Sequence, residues 1–322
     1  MRLPHEAQPQ LWRCRCLGPD GHQTGGQPLP FLKKLKVLDY VILLVLATFA
    51  AVTWYYVSAK LNYQWQWSRI PNYFLRWDEE SGRWVASSLL DGLTTTLRIS
   101  IYASLLAIVL GTILGVARCA ENLAIRMLAR TYLEFLRNIP PVVVVFIFYF
   151  FLSEQLVAAF NIESWARAIA KRPDPGVWEF FFGDMRRFPS VISGVMVLAL
   201  FESAFVGEIV RAGIQSVGRG QREAARSIGM SWIDEMRFVV LPQALRKVLP
   251  PLASQFISLV KDSSIISLIS VQELSFKTVE LVSSTRMIFE GWITAAALYF
   301  SLCFGLSLLF RHFEKPKRAR SD

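Results

Sequence analysis

Apolar residues along this chain gather into six long stretches that are separated by polar segments. The stretches lie at about 37 to 57, 93 to 117, 135 to 156, 189 to 210, 249 to 271 and 290 to 310. Each is close to the roughly 20 helical residues that cross a hydrocarbon core of about 30 Å. Strands would show alternating stretches of about ten residues instead, and lipid permits only structures that satisfy every backbone group internally. The pattern predicts an all-α fold: a polytopic membrane helical bundle of about six transmembrane helices.

Glycine and proline residues mark packing positions and helix starts within these stretches. Gly111 and Gly115 form a GxxxG pair in the second stretch, which predicts a close approach of two helix backbones. The pairs Pro140–Pro141 and Pro250–Pro251 lie near the beginning of the third and fifth stretches. Since proline is tolerated in a first helical turn, both pairs predict the start of a span.

Lys and Arg residues concentrate on one side of the predicted bundle. An even number of spans places both chain ends on the same side, together with the polar segments 118–130 and 211–250, and these parts carry most of the basic residues. Because basic residues mark cytoplasmic loops, both termini are predicted to be cytoplasmic. The outer loop 153–187 also holds Lys and Arg, although acidic residues accompany them.

Composition divides the chain into four segments. Residues 1–36 are rich in Gly, Pro and Gln and are predicted to be a disordered cytoplasmic tail. Residues 37–87 would form the first transmembrane helix and an outer loop. This first apolar run is long enough to span, so it is predicted to stay as an anchor and not to be removed as a signal peptide. Residues 88–312 would form the main transmembrane domain, with its polar loop 211–250, and residues 313–322 a basic cytoplasmic tail.

Composition and charge also exclude some partners. Of the 322 residues, 53% are hydrophobic, which exceeds the usual share of a soluble domain. The formal net charge is +10, but the basic residues lie between apolar runs and form no stripe with interleaved aromatic residues. We therefore expect no nucleic-acid partner.

Residue types for catalysis, cofactors or metals are scarce in the sequence. No glycine is followed by lysine, which excludes an ATP-binding P-loop in this sequence. No serine lies in a Gly-x-Ser-x-Gly setting, and the three histidines are close to the chain ends. The four cysteines are scattered and predict neither disulfides nor a metal site. The chain is therefore expected to have no catalytic residue, no metal and no cofactor, and any ATP hydrolysis would belong to a partner.

The polar loop 211–250 carries the most specific pattern. Apolar residues recur at helical spacing on both sides of Gly229, and the second stretch ends at Leu241 before Pro242, which predicts two short helices joined by a glycine turn. The sequence EAARSIG at 223–229, followed after eleven residues by Leu241 and Pro242, resembles the EAA loop of ABC importer permeases.

Other segments resemble the polar amino-acid branch of that family, which comprises type I importers similar to histidine, glutamine and glutamate permeases. They are DGLTTTLRIS at 91–100, EFLRNIPP at 134–141, FVGEIVRAGIQSV before the loop and LVKDSSIISLISVQEL after it. The resemblance covers roughly residues 88–312. Two positions depart from the family pattern: Val239 replaces the usual isoleucine, and Phe205 replaces a more common tyrosine, so that a hydroxyl contact is absent.

The resemblance implies a permease subunit that translocates polar amino acids across the bacterial inner membrane, with its outer loops in the periplasm. Its partners would be ABC ATPase subunits, a periplasmic solute-binding protein, a second permease subunit (a copy or a homologue) and membrane lipid. The residues implied to contact the ATPase are Gly220, Gln221, Glu223, Ala224, Ala225, Gly229, Leu241 and Pro242. An amphipathic helix resting on the membrane surface is the alternative interpretation of this segment.

Ionisable residues within the predicted spans are candidates for the substrate path: Arg98, Glu202, Lys261 and Asp262. A charge at the bilayer centre costs about 2.5–3.5 kcal/mol on insertion scales, so each needs a partner or water. An amino acid presents a carboxylate and an ammonium group, which Arg98 and Glu202 would complement. A direct ion pair of Arg98 with Glu202 and a structural ion pair of Lys261 are the alternatives, and Glu208 is interpreted as structural.

Three other functions stay open on the sequence alone. The nearest is a permease of the same scaffold for a different polar solute. A secondary transporter or channel driven by an ion gradient would work without an ATPase and would not need a loop such as 211–250 to contact one. A membrane-anchored structural or signalling protein should lack charges inside its spans.

Overall fold

A computed structural model describes residues 37–59, 63–79, 82–172 and 176–314. The tail predicted to be disordered and most of the basic tail at the other end lie outside these described residues. The chain divides into two compact units, Met1–Gln64 and Trp65–Asp322. In the first unit the structure describes one long helix, α1 (Val37–Ala59).

The second unit is built mainly from helices that follow one another through short connections. A 3-10 helix (Trp67–Tyr73) precedes an antiparallel hairpin of β1 (Leu75–Asp78) and β2 (Arg83–Ala86), in which Trp77 pairs with Trp84. The helices are α2 (Ser88–Ala117), α3 (Leu123–Asn138), α4 (Pro141–Phe148), α5 (Glu154–Ala159), α6 (Ile162–Ala170), α7 (Gly176–Phe182), α8 (Phe188–Gln215), α9 (Arg219–Ser227), α10 (Trp232–Asp234), α11 (Leu241–Asp262), α12 (Leu274–Thr285) and α13 (Ile288–Glu314). The π-helical segments Tyr149–Ser153 and Glu235–Val240 join α4 to α5 and α10 to α11, and a 3-10 helix (Ser263–Ile269) continues α11.

Several of these helical segments are long and apolar enough to cross a membrane. Within the described residues there are five: Ser88–Ala117, Pro141–Ala159, Phe188–Gln215, Trp232–Ile269 and Ile288–His312. They correspond to the second to sixth predicted spans, which confirms the all-α polytopic bundle. The first predicted span is helical as α1, but its apolar part, Asp39–Thr53, is shorter than the others, so the crossing of the membrane by this first span stays a prediction. The small β1–β2 hairpin was not predicted, because its two short strands lie in a polar segment.

Helices α2 and α8 run parallel to each other in close contact. A Cβ added at Gly111 would lie 2.6 Å from the Val206 side chain and 2.9 Å from the Ser203 carbonyl oxygen. A Cβ added at Gly115 would lie 2.7 Å from the Gly207 carbonyl oxygen. Only residues without a side chain permit this approach, so the packing role predicted for the GxxxG pair is confirmed.

The two Pro-Pro pairs have different positions in their helices. Pro141 is the first residue of α4, as predicted. Pro250–Pro251 lies inside α11, which begins at Leu241, so the predicted span start at this pair is wrong. Helix α11 continues through the prolines because it packs tightly on α8: a Cβ at Gly213 would lie only 2.1 Å from Val248. Tertiary packing here outweighs the low helix propensity of proline.

Helix α8 lies at the centre of the second unit. Of its apolar segment 72% is buried, against 11% to 33% in the other four candidate spans. Separate apolar clusters pack α8 against α2, against α3 and α4, and against α11. The other candidate spans therefore expose apolar faces that lipid or another subunit can cover. The tight packing of α8 also fixes the positions of its charged residues.

Candidate functional site

Helix α9 exposes one side and packs the other against the protein. Glu223 and Ala224 are exposed, and so is Ile228 directly after the helix. Ala225 points inward and keeps only 4% of its surface exposed. The exposed side of α9 thus combines small residues with the charged side chains of Arg219, Glu223 and Arg226.

Two arginines fix α9 to its neighbours. Arg222 donates a hydrogen bond to the carbonyl oxygen of Ile214 at 3.0 Å, near the end of α8. Arg226 donates to the buried carboxylate of Glu235 at 2.8 Å, in the segment that leads into α11. This hydrogen bond to Glu235 raises the pKa of Arg226 above its usual range and so favours its charged form. Helix α9 is thus attached to the ends of two membrane-spanning helices.

Gly229 ends α9 in a left-handed turn. Its φ angle is +82°, which residues with a Cβ adopt only at a cost. Its N–H donates to the carbonyl of Arg226 at 3.0 Å, and the N–H of Met230 donates to that of Ala225 at 3.2 Å. These two bonds are the Schellman pattern of a helix C-terminus. The predicted helix–glycine turn–helix arrangement is confirmed.

The other residues implied to contact an ATPase lie beside this turn. Gly220 and Gln221 are exposed on α9, and Pro242 is exposed in the first turn of α11. Leu241 is half-buried and packs on the apolar cluster beneath. A side-chain hydrogen bond of 3.5 Å from Gln243 to Gln221 connects the two helices. The structure therefore brings the predicted residues together as one exposed surface. Ala225 and Leu241 point inward and support it from beneath.

Glu208 lies near the same end of α8 and is surrounded by arginines. Its carboxylate accepts a hydrogen bond from Arg118 at 2.6 Å and pairs with Arg211 one turn later. Arg137 of α3 is 3.8 Å away. The carboxylate thus joins the end of α2, α3 and α8, which agrees with the structural interpretation of Glu208.

Arg98 lies in the first half of α2, away from Arg118, in a polar cavity of about 170 Å³. The charged residues of its lining are Asp91, Arg98, Asp184, Arg186 and Arg187. Arg187 pairs with Asp91 at 2.7 Å, whereas Arg98 donates to the carbonyl oxygen of Phe180 at 3.2 Å. Gln272 also lines the cavity, and its side-chain oxygen is buried without a hydrogen-bond partner among the described residues. Cationic donors and a free acceptor thus face one small space.

Glu202 is completely buried halfway along α8. One carboxylate oxygen accepts a hydrogen bond from the Gln255 amide at 2.7 Å, and the carboxyl group of Asp262 lies close by. The other oxygen accepts no hydrogen bond within the described residues. Hydrogen bonds therefore offset little of the cost of placing these two carboxyl groups next to each other. Lys261, the neighbour of Asp262, is exposed. Nowhere in the described part of the chain do three His, Cys, Asp or Glu side chains form a metal-binding group.

Arg98 and Glu202 do not form one site. Arg98 shares its cavity with Val191 of the parallel helix α8, and Glu202 follows Val191 by eleven residues, which is about 16 Å along a helix axis. No ion pair joins Arg98 to Glu202 among the described residues. The direct ion pair considered from the sequence is therefore wrong, whereas a contact of either group with the substrate stays a prediction.

Sequence reasoning missed two polar residues of these sites, Gln255 and Gln272. A signal for the first was present: Gln255 precedes Asp262 by seven residues on one helix, and this spacing places both on the same face. Gln272 follows the last turn of a helix in an irregular segment. Its position depends on the tertiary fold, and no periodicity indicates it.

Comparisons with known proteins agree with this arrangement. Residues 107–319 match the family model described as the binding-protein-dependent transport system inner membrane component. The probable glutamine ABC transporter permease protein GlnM of Bacillus subtilis (strain 168) is 34% identical over 229 residues, which are 71% of this chain and 93% of that protein. The glutamate/aspartate import permease protein GltK of Escherichia coli O157:H7 is 31% identical over 230 residues, 70% of this chain and 92% of that protein.

A solved structure supports the same conclusion. The crystal structure of an amino acid ABC transporter with histidines contains a chain that is 31% identical, with a TM-score of 0.55, and the match covers 70% of this chain and 92% of that one. The family model spans more than half of this sequence, and it includes α9 and the turn at Gly229. The chain therefore belongs to the binding-protein-dependent transport system inner membrane component family, and it is a multi-pass membrane protein of the ABC transporter permease type.

Proposed function

We propose that this permease carries polar amino acids across the bacterial inner membrane and that a separate ABC ATPase supplies the energy. The observation that carries the proposal is the geometry of α9. Its exposed side can bind a partner, and its charged hydrogen bonds connect it to α8 and to the start of α11. A partner that moved α9 would move both spans. The relatives named as glutamine and glutamate/aspartate permeases support the substrate class.

The composition of α9 favours a protein partner over the membrane surface. An interfacial helix binds lipid by burying large apolar side chains. The sequence of α9, RGQREAARS, contains no apolar side chain larger than alanine. Ile228, Ile233 and Phe238 are exposed after the helix, but they lie outside it, so α9 itself offers lipid no large apolar side chain. A groove on an ATPase, where small residues permit close approach, fits this helix better.

We further propose that both termini and α9 are cytoplasmic and that the β1–β2 hairpin and α6 are periplasmic. On that side a solute-binding protein would deliver the substrate, and a second permease subunit would cover the exposed apolar faces within the membrane. Single cysteines placed at Gly82 and Ala168 should react with an impermeant maleimide added outside. A cysteine at Ser227 should react only when the membrane is opened. Labelling of position 168 from the inside alone would contradict this orientation.

We propose that the substrate contacts Arg98 and Glu202 one after the other, at different depths in the helical bundle. Arg98, in the outer cavity, would contact the substrate carboxylate first. Deeper in the bundle, Glu202 and Asp262 would contact the ammonium group, since two close carboxyl groups gain from a cation between them. Lys261 is exposed on this subunit and would contribute where the second permease subunit meets it. Alternating access would open these levels to one side at a time.

Uptake into proteoliposomes tests the proposed function. The chain, its ATPase and its binding protein are reconstituted, and uptake of radiolabelled glutamine, glutamate and histidine is measured with ATP or ADP present. We expect ATP-dependent uptake of at least one polar amino acid, inhibited by other polar but not by apolar amino acids. Ionophores should leave the rate unchanged. Uptake that needs no ATPase and stops with ionophores would overturn the proposal.

The buried carboxyl pair also supports a second candidate function, proton-coupled transport. Intramembrane acidic groups form proton relays in gradient-driven transporters, and Glu202 is fully buried beside the half-buried Asp262. In that case Glu202→Gln would abolish gradient-driven uptake by the chain alone. The ionophore measurement above separates this candidate from the ABC importer.

A further inference from the structure

A second cavity, of about 400 Å³, lies where the ends of α2 and α8 meet α3. It is distinct from the exposed side of α9 and from the cavity around Arg98. Its lining residues are Arg118, Leu123, Arg126, Met127, Arg130, Arg211 and Gln215. Four of these seven residues are arginines and none is acidic. The cavity therefore combines strong positive charge with apolar side chains.

The apolar and basic lining residues of α3 share one face of that helix. Leu123, Arg126, Met127 and Arg130 follow the spacing i, i+3, i+4 and i+7, which stacks side chains on one side. Leu123 and Met127 are exposed. An adjacent face of α3 is buried, through Ala129, Leu133 and Leu136. Helix α3 is thus held firmly while it presents a mixed apolar and basic face outward.

The arginines of the cavity are only partly neutralised by the protein. Arg118 and Arg211 share the single carboxylate of Glu208, and Arg130 pairs with a glutamate one turn along α3. Arg126 donates only to a backbone carbonyl, at 3.5 Å, and pairs with no acidic residue in the described part of the chain. Two carboxylates face four guanidinium groups, so an excess positive charge stays at the cavity.

We propose that this cavity binds the headgroup of an anionic phospholipid, with phosphatidylglycerol as the probe. The cavity lies at the ends of two membrane-spanning helices, which is the level of lipid headgroups. Guanidinium groups bind phosphate oxygens with several N–H donors, and basic pockets between transmembrane helices bind anionic headgroups. Leu123 and Met127 would contact the adjoining acyl chain. Free phosphate would satisfy the arginines but leave these two side chains in water, so lipid is the better source of the phosphate.

Native mass spectrometry of the full-length chain in detergent tests the site. The protein is titrated with dioleoylphosphatidylglycerol or dioleoylphosphatidylcholine, and bound lipid is counted. The variant Arg126→Gln/Arg130→Gln should bind phosphatidylglycerol about thirtyfold more weakly, since each basic residue near an anionic surface contributes about fivefold. The matched control, Arg167→Gln/Arg172→Gln, removes two exposed arginines in and just after α6 and should change nothing.

Each further result supports or overturns the proposal. Arg126→Lys/Arg130→Lys keeps the charge and should retain most of the phosphatidylglycerol affinity. If the glutamine double variant does not fold, the single variant Arg126→Gln should still lose about fivefold. Equal affinity for both lipids, or an equal loss in the α6 control, would overturn the site. Complete displacement of lipid by inorganic phosphate, with no effect of Leu123→Ser/Met127→Ser, would identify free anion binding instead.

Discussion

Replacing Gly229 by alanine isolates the backbone contribution of the turn after α9. An added Cβ meets no atom within 4 Å, so the change creates no clash, and only the φ of +82° is unfavourable. A left-handed conformation costs a residue with a Cβ roughly 1–2 kcal/mol. If the ATPase binds α9 only when the turn is formed, its affinity should fall by roughly five- to thirtyfold.

Two matched variants separate this effect from the mere addition of a side chain. Gly229→Asn adds a larger group, but asparagine adopts the left-handed region at helix ends, so it should lose much less affinity than alanine. Gly218→Ala adds a methyl group just before α9, where an added Cβ also meets nothing within 4 Å. Its φ is −56°, which alanine adopts freely, so this variant should bind the ATPase like the wild type.

Affinity can be measured by titrating the purified ATPase onto the permease in nanodiscs, with uptake recorded in parallel. The predicted order of affinity is wild type and Gly218→Ala, then Gly229→Asn, then Gly229→Ala. Gly229→Arg should be weakest, because a charged side chain is added to the strained backbone. Equal affinities for the alanine and asparagine variants at position 229 would refute the argument that the left-handed turn presents α9.

Two further predictions follow from the bundle. Arg98→Gln should raise the KM for uptake about tenfold or more while the complex stays assembled, because hydrogen bonds to charged groups contribute about 1.5–3 kcal/mol. Tyr102→Phe removes only a 2.9 Å hydrogen bond to the neighbouring Phe181 carbonyl, and a similar rise in that variant would assign the effect to loop positioning. Gly111→Ala should lower the thermal unfolding midpoint, since overpacking costs about 1–3 kcal/mol. Gly305→Ala, where an added Cβ meets nothing within 4 Å, should leave the unfolding midpoint unchanged. Equal midpoints for the two variants would contradict the close packing of α2 on α8.

The spans were predictable because lipid imposes a minimum length on apolar helices. The segments Ser88–Ala117 and Phe188–Gln215 follow directly from that rule, and the GxxxG pair in the first of them indicated their close packing. The start of α11 was not predictable from Pro250–Pro251, because contact of Val248 with α8 keeps the helix intact through the prolines. Local propensity gave the wrong boundary where tertiary packing decided it.

The candidate site was predictable only where its residues are close in sequence. Gly229 and the residues around it share one short loop, so spacing alone indicated the turn and the exposed surface. Arg98 and Glu202 lie on different helices, so their relative depth in the bundle depends on how α2 and α8 are aligned. The contact of Gly111 with Val206 fixes that alignment. Without that alignment their charges suggested a pair, whereas the structure separates them and places Gln255 beside Glu202.

Photo-crosslinking from α9 tests most directly whether this chain is driven by an ATPase through that helix. A photoreactive amino acid is placed at Ala224, which is exposed on α9, or at Ala168, which is exposed on α6, in membranes that contain the assembled transporter. The proposal predicts a crosslink from position 224 to the ATPase subunit, lost when the ATPase is omitted, and none from position 168. An assembled, active transporter that gives no crosslink at position 224, or gives one at 168 instead, would contradict it.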